Sequence, residues 1–255
     1  VIKHTPAVGK NLLEHPLMRP TFRSVKPSYN PSGGMLQALG FLAKFLFTGQ
    51  GPIAAPFEGQ LFLKSTPEEL LPDVQMHFSL VGMVNTQGSQ HKGITVLPYP
   101  AFSFFVNNSY PKSKGTVKLA SADPAVAPLI DPNLLHDERD VQTLVRALEF
   151  IRKLVVTPAM AKMVLDEVEP GRDTVSPESL ACYVRARTGI AYHPVGTCRM
   201  GIDEQAVVDP NLRVRGLDNL WIADASIMPD HISGNPNATC LMFGEKLGRQ
   251  LLRNP

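Results

Sequence analysis

Apolar residues recur at three- and four-residue steps over several stretches of the chain. Val141, Leu144, Val145, Leu148, Ile151, Leu154 and Val155 form one stripe, with Arg146, Glu149, Arg152 and Lys153 mainly opposite. That spacing predicts a helix over 138–156, with Asp137 placed to cap it and Pro158 after its end. Met35, Leu39, Leu42 and Leu46 keep the same spacing, and Phe41, Phe45 and Phe47 broaden it. The pattern there predicts a helix packed in a core and stopped by Gly49. Ser176 as cap and Pro177 in the first turn open a further helix that ends near Gly189. Near the C-terminus Ala238, Leu241, Met242, Leu247 and Leu251 follow helical spacing, with Asn235 as expected cap and Pro236 as expected first residue.

Alternation replaces this period over 74–81. Val74, Met76, Phe78 and Leu80 fall on one face, and Gln75, His77 and Ser79 on the other. The polar face of such a strand either meets solvent or lines a pocket. Shorter strands are expected at 60–63 and 94–97, and a pair at 115–120 and 127–130 around a turn with Asp123 and Pro124. Leu220-Trp221-Ile222-Ala223 is continuously apolar and reads as a buried strand ending at Asp224. Residues 1–20, with Pro6, Pro16 and Pro20, read as irregular, and 21–34 as loop. Strands and helices in separate blocks indicate an α+β arrangement and not a continuous βαβ series.

Composition narrows the function classes. The 255 residues suffice for one large domain or two modest ones, and 44% hydrophobic with 19% charged residues is ordinary for a globular chain. A net charge of +2 is too small to suggest a nucleic-acid partner. Cys182, Cys198 and Cys240 are an odd number without a close pair, so neither a disulfide scaffold nor a zinc ribbon is expected, and no metal spacing is recognisable. Cys198 and Cys240 read as small buried fillers. The 35–47 stretch is too short for a bilayer and contains Lys44, so no transmembrane segment is expected and a core helix is favoured over a membrane-surface one. No charged-then-apolar leader follows Val1, which points to a cytoplasmic location, and a start at Val hints at a processed or truncated chain.

Three segments concentrate candidate chemistry: Val8-Gly9-Lys10-Asn11-Leu12-Leu13-Glu14-His15, Tyr192-His193-Pro194-Val195-Gly196-Thr197-Cys198-Arg199-Met200-Gly201, and Ala223-Asp224-Ala225-Ser226 running on to Gly234-Asn235-Pro236-Asn237. Singly, each has a structural explanation. His193 alone is a hydrogen-bonded core histidine, Asp224 closes a turn, and Asn235 caps a helix. Two lookalikes carry nothing. Gly49-Gln50-Gly51-Pro52-Ile53-Ala54 matches the dinucleotide fingerprint in form but follows a helix instead of a strand. Ser226 and Ser233 near His231 lack the G-x-S-x-G elbow of a serine hydrolase.

Together, residues 192–201 and 223–240 resemble the C-terminal signature of the glucose–methanol–choline (GMC) oxidoreductases, the FAD-dependent alcohol oxidases and dehydrogenases. The opening resembles that family's V-G-x-N-L-x-D-H segment, with Glu14 in place of the usual Asp. Asp73–Phe78 and Lys114–Asn133 are similar as well, so the resemblance covers nearly the whole chain but only the C-terminal half of a family member. It is closest to the choline-dehydrogenase-like branch, whose second catalytic position is Asn.

The resemblance implies a catalytic base at His193 and a partner at Asn235 that donates to the substrate oxygen. It implies cofactor contacts at Asp224 and Ala225, near the ribityl–pyrophosphate region, and at Pro236 and Asn237, where a helix start faces the flavin. It also implies contacts at Asn11 and Leu12. His15 is either functional or stacked in the turn before Pro16. Gly196 and Gly201 serve the backbone path of their loop. The implied fold has residues 1–18 and 191–255 in an FAD domain of Rossmann-like type, and 19–190 in an antiparallel-sheet substrate domain. FAD is the implied cofactor and a small-molecule alcohol the implied substrate. The phosphate-binding half is expected upstream or on a partner chain. A non-catalytic remnant or subunit, and a lyase on the same fold, stay open beside the oxidoreductase.

Overall fold

The computed structural model describes residues 3–31, 33–55, 57–85 and 93–253. In chain order the elements are strands β1 (Pro16–Met18) and β2 (Thr21–Ser24), helix α1 (Gly34–Thr48), and strands β3 (Gly59–Leu63), β4 (Val74–Ser79), β5 (Met83–Asn85), β6 (Ile94–Val96), β7 (Ala101–Asn108), β8 (Thr116–Lys118) and β9 (Leu129–Asp131). Helix α2 (Glu138–Val155), strand β10 (Val164–Glu169), helix α3 (Pro177–Arg187), strand β11 (Gly189–Ile190) and helix α4 (Asn237–Arg253) complete the set, with a single 3-10 turn at Ala225–Ile227. The chain divides into two compact units. One comprises 1–16, 109–140 and 190–255, the other 17–108 and 141–189.

The second unit is built on an antiparallel sheet. β7 is its hub, pairing with β1, β2 and β4, while β3 pairs with β4 and β10 with β2. Phe22, Phe78, Phe102 and Phe104 stack along it with centroids 5.4–6.1 Å apart, the spacing at which edge-to-face and offset pairs attract. α2 buries the expected stripe: Val141, Leu144, Val145, Leu148, Ile151 and Val155 are all buried. Asp137 Oδ1 accepts from the Arg139 N–H at 2.9 Å at its start. In α3, Ser176 caps by accepting from the Ser179 N–H, with Pro177 in the first turn.

Several expectations need correction here. Residues 16–18 and 21–24 are strands and not irregular chain or loop. β7 and β10 carry no expectation at all. In β7 seven of eight residues are buried, so its two faces show no alternation to read. The polar face of β4 does not lie open: Gln75 and Ser79 are buried beside β7 and β3, and only His77 is half-buried. α1 has the expected span, and Gly49 ends it in a left-handed conformation (φ 65°) with its N–H on the Phe45 carbonyl. Yet α1 buries no residue, and Met35, Leu36 and Phe47 are among the most exposed apolar side chains. It is not a core helix.

Among the described residues, two small apolar clusters lie in the first unit. Val207, Val208, Leu212, Val214 and Ile227 form one, and Leu13, Val195 and Met228 the other. Phe243 of α4 packs against both, Cys198 against the first and Cys240 against the second. β8 and β9 pair as expected. Leu220–Ala223 is not a strand: only an isolated bridge joins Trp221 to Arg213, and Leu220 is exposed. α4 begins at Asn237, one residue later than expected, and Cys240 N–H bonds the Pro236 carbonyl at 2.9 Å. Among the described residues no helix is long and apolar enough to cross a membrane.

Candidate active site around His193

The three motif segments lie side by side within the first unit. Leu13 and Val195 exchange backbone hydrogen bonds of 3.0 and 2.9 Å, and Gly9 N–H reaches the Thr197 carbonyl at 2.8 Å. On the other side of the 193–201 loop, Gly196 N–H bonds Ala225 O, Cys198 N–H bonds Ser226 O, and Met200 N–H bonds Ile227 O. A loop without regular structure is thereby clamped between two neighbours, which satisfies its buried backbone groups. Gly196 permits the clamp. Its φ is 90°, and a Cβ there would lie 2.4 Å from the Asn11 carbonyl oxygen.

His193 sits at the start of this loop, and its surroundings fix it at three atoms. Both carboxylate oxygens of Glu14 accept from its backbone N–H, at 2.8 and 3.0 Å. Its carbonyl accepts from Nε2 of His231 at 2.9 Å. Its ring Nδ1 faces Nδ1 of His15 at 3.1 Å. His15 is fully buried, stacks on His231 with centroids 3.5 Å apart, and meets the His193 ring edge-on at 5.3 Å.

Burial dominates the electrostatics of the cluster. It lowers the His15 pKa to about 3, helped by the charges that His231 and His193 would carry. It lowers that of His231 to about 4. It raises the Glu14 carboxyl to about 7, although backbone N–H groups of His193, His15 and Ala191 pull the other way. Near neutral pH the two supporting imidazoles are therefore uncharged, because burying a charge without a paired counter-charge is costly.

The other expected residues are placed as follows. Asn11 adopts a positive φ of 58° and sends Nδ2 to the carbonyls of Gly196 and Pro229 at 3.5 and 3.3 Å. Leu12 is buried and bridges to Gly115. Asp224 ends no strand. It is exposed and caps the Ala225–Ile227 turn, its Oδ1 accepting from Ser226 N–H at 2.8 Å. Ala225 is half-buried under the 193–201 loop. Asn235 and Asn237 are exposed at the approach to α4, with Pro236 buried between them. The Ile232 carbonyl, just upstream, lies 3.0 Å from His15 Nε2, so the loop leading to Asn235 is tied to the His193 cluster.

Sequence reasoning left two members of this cluster without a role, Glu14 and His231. Glu14 adjoins His15 in a segment already singled out, which was the available signal. His231 acts through the backbone of a residue distant in sequence, which no local pattern reveals.

Residues 111–244 match the sequence model of a family described as GMC oxidoreductase. The chain is 35% identical over 258 residues to an alcohol dehydrogenase [acceptor] of Pseudomonas putida, covering 99% of this chain and 45% of that protein. It is 37% identical over 249 residues to an oxygen-dependent choline dehydrogenase of Cronobacter sakazakii, covering 97% and 44%. The chain thus spans about half the length of these relatives. Among solved structures it is similar to pyridoxine 4-oxidase from Mesorbium loti, with 25% identity, a TM-score of 0.80, and coverage of 98% of this chain and 45% of that one. The fold is also that of an Aspergillus oryzae formate oxidase, at 24% identity and TM-score 0.81, covering 95% of this chain and 47% of that one.

Proposed function

Since the chain belongs to the GMC oxidoreductases, we propose that it carries the base and the substrate-facing groups of an FAD-dependent enzyme oxidising an alcohol to an aldehyde or ketone. The observation that carries this reading is the immobilisation of His193. Its backbone N–H, its carbonyl and one ring nitrogen are all held, as a positioned general base requires.

The residues present fit the flavin end of FAD. Asn235 and Asn237 are exposed where the 17-residue α4 begins, and its first turn holds no acidic residue. A helix start of this kind favours an anion. Pro236 and Asn237 would adjoin the ring system, with Asp224 and Ala225 toward the ribityl–pyrophosphate link and Asn11 and Leu12 behind the covering loop. Among the described residues, no glycine-rich turn between a strand and a helix would hold the pyrophosphate, so that part falls to chain beyond these residues or to a partner. When bound, FAD supplies the hydride acceptor.

The chain's own residues handle the proton. The substrate O–H bond breaks, its electron pair stays on oxygen, and the proton passes to the His193 ring. The Asn235 amide donates to the same oxygen as negative charge gathers there. In this reading the terminal segments 1–18 and 191–255 belong to the cofactor side and 19–190 to the substrate side, except that 109–140 share the compact unit of the terminal segments. Anaerobic mixing of the flavin-loaded holoenzyme with primary and secondary alcohols tests the proposal. Loss of oxidised-flavin absorbance on alcohol addition supports it, and an unchanged spectrum with every alcohol refutes it.

A further inference from the structure

The two histidines in contact at 3.1 Å present Nδ1 to Nδ1. One must donate and the other accept, and the environment of His15 decides which. Its Nε2 lies 3.1 Å from the Ser109 carbonyl and 3.0 Å from the Ile232 carbonyl. Carbonyl oxygens only accept, so Nε2 of His15 carries the hydrogen. His15 is fully buried, and a second proton on its ring would be a buried charge; the shift of its pKa to about 3 agrees with a neutral ring. A neutral imidazole with N–H at Nε2 has its lone pair at Nδ1.

We infer that His15 is a positioning residue that sets the tautomer of His193, accepting its Nδ1–H and thereby making Nε2 of His193 the basic nitrogen. This rests on the reading of His193 as the base. His231 supports the arrangement from the other side. Its Nε2–H is committed to the His193 carbonyl, its Nδ1 accepts from the Ile232 N–H at 3.0 Å, and its ring stacks on His15. The two carbonyls and the stack leave the His15 ring no alternative orientation without losing these contacts. Once Nε2 of His193 takes the substrate proton, its Nδ1–H still points at the His15 lone pair, and the new positive charge is shared along that bond. The proton stays on His193, because His15 is too weak a base to accept it. A charge-bearing orienter such as an aspartate is replaced here by a neutral acceptor.

Nitrogen-15 NMR of the chain labelled at histidine reads the tautomer directly, without any cofactor. In the unsubstituted chain at neutral pH, His193 is expected to give a pyrrole-type Nδ1 and a pyridine-type Nε2. His15→Leu removes the acceptor and should shift both signals toward averaged values. His15→Asn offers an amide oxygen near the former Nδ1 and should restore the wild-type pattern. In the holoenzyme, His15→Leu should slow flavin reduction about tenfold or more, with His15→Asn recovering part of it. A His193 ring protonated mainly at Nε2 in the unsubstituted chain would overturn the inference, whether or not the Leu variant folds. So would wild-type signals in a folded His15→Leu chain. If His193→Ala leaves flavin reduction intact while the tautomer pattern holds, the base assignment fails and the tautomer lock stands.

Discussion

Glu14 grips the backbone N–H of His193 with both carboxylate oxygens, at 2.8 and 3.0 Å, across a gap of 179 positions in the sequence. The carboxylate therefore anchors His193 through its backbone. Its extra methylene, relative to the Asp that the family segment usually carries, lengthens this arm.

Removing the arm should destabilise the loop. Glu14→Ala leaves the His193 N–H without this acceptor, which costs about 1 kcal/mol for a half-buried donor. Glu14→Gln keeps one carbonyl oxygen as acceptor and should cost clearly less. Urea unfolding of the two variants checks this; equal losses would mean that the hydrogen bond is not what Glu14 contributes.

The same cluster predicts a pH profile of stability. Unfolded histidines protonate near 6.5, whereas folded His15 and His231 resist to about 3 and about 4. The unfolded state then binds more protons in that window, so their contribution rises with pH up to 6.5. Glu14 opposes them: it ionises near 4.5 when unfolded but only near 7 when folded, so its contribution falls over that range. Two histidines outweigh one carboxylate until about pH 7, where the opposing contributions balance and the profile flattens. Glu14→Gln should steepen the rise between about pH 4.5 and about pH 7. Denaturation midpoints measured from about pH 4 to about pH 8 would expose a flat or inverted profile, which contradicts the assignment.

Much of this architecture is legible in the chain. The stripe of α2 shows itself because one face alone is buried, and Ser176-Pro177 marks α3 because a cap and a fixed φ have few other uses. β1 and β2 escape notice beside Pro16 and Pro20, and the burial of both faces of β7 erases its period. α1 misleads in the opposite sense, since helical spacing reports a shared apolar face and not what covers it. At the site, His193 and Asn235 stand out only through a family resemblance. Glu14 and His231 are recognisable as support only when the fold brings their side chains to the backbone of His193.

The isolated 255-residue chain should retain little FAD. The residues proposed to contact it are assigned to the flavin and its linker alone, whereas a dinucleotide's pyrophosphate is held chiefly by amides of a glycine-rich turn and the helix start behind it. Gly49 and Gly51, the one formal match, follow α1 and lie in turns. Absorbance after denaturation of the purified chain measures the flavin content. One flavin per monomeric chain would show the binding assignment to be wrong.

Asn235 distinguishes donation from helix support. Asn235→Asp places a carboxylate where the substrate oxygen gains negative charge and should impair flavin reduction on the order of tenfold or more, with the start of α4 intact. Circular dichroism alongside rapid-mixing kinetics separates the two roles. Equal rates for the Asn and Asp forms would confine the side chain to the helix start.

The base assignment is tested most directly by rapid anaerobic mixing of alcohol with the flavin-loaded holoenzyme carrying His193→Ala. The account predicts a fall in the flavin reduction rate on the order of a hundredfold or more, with flavin content retained. Reduction at the unsubstituted rate would contradict it.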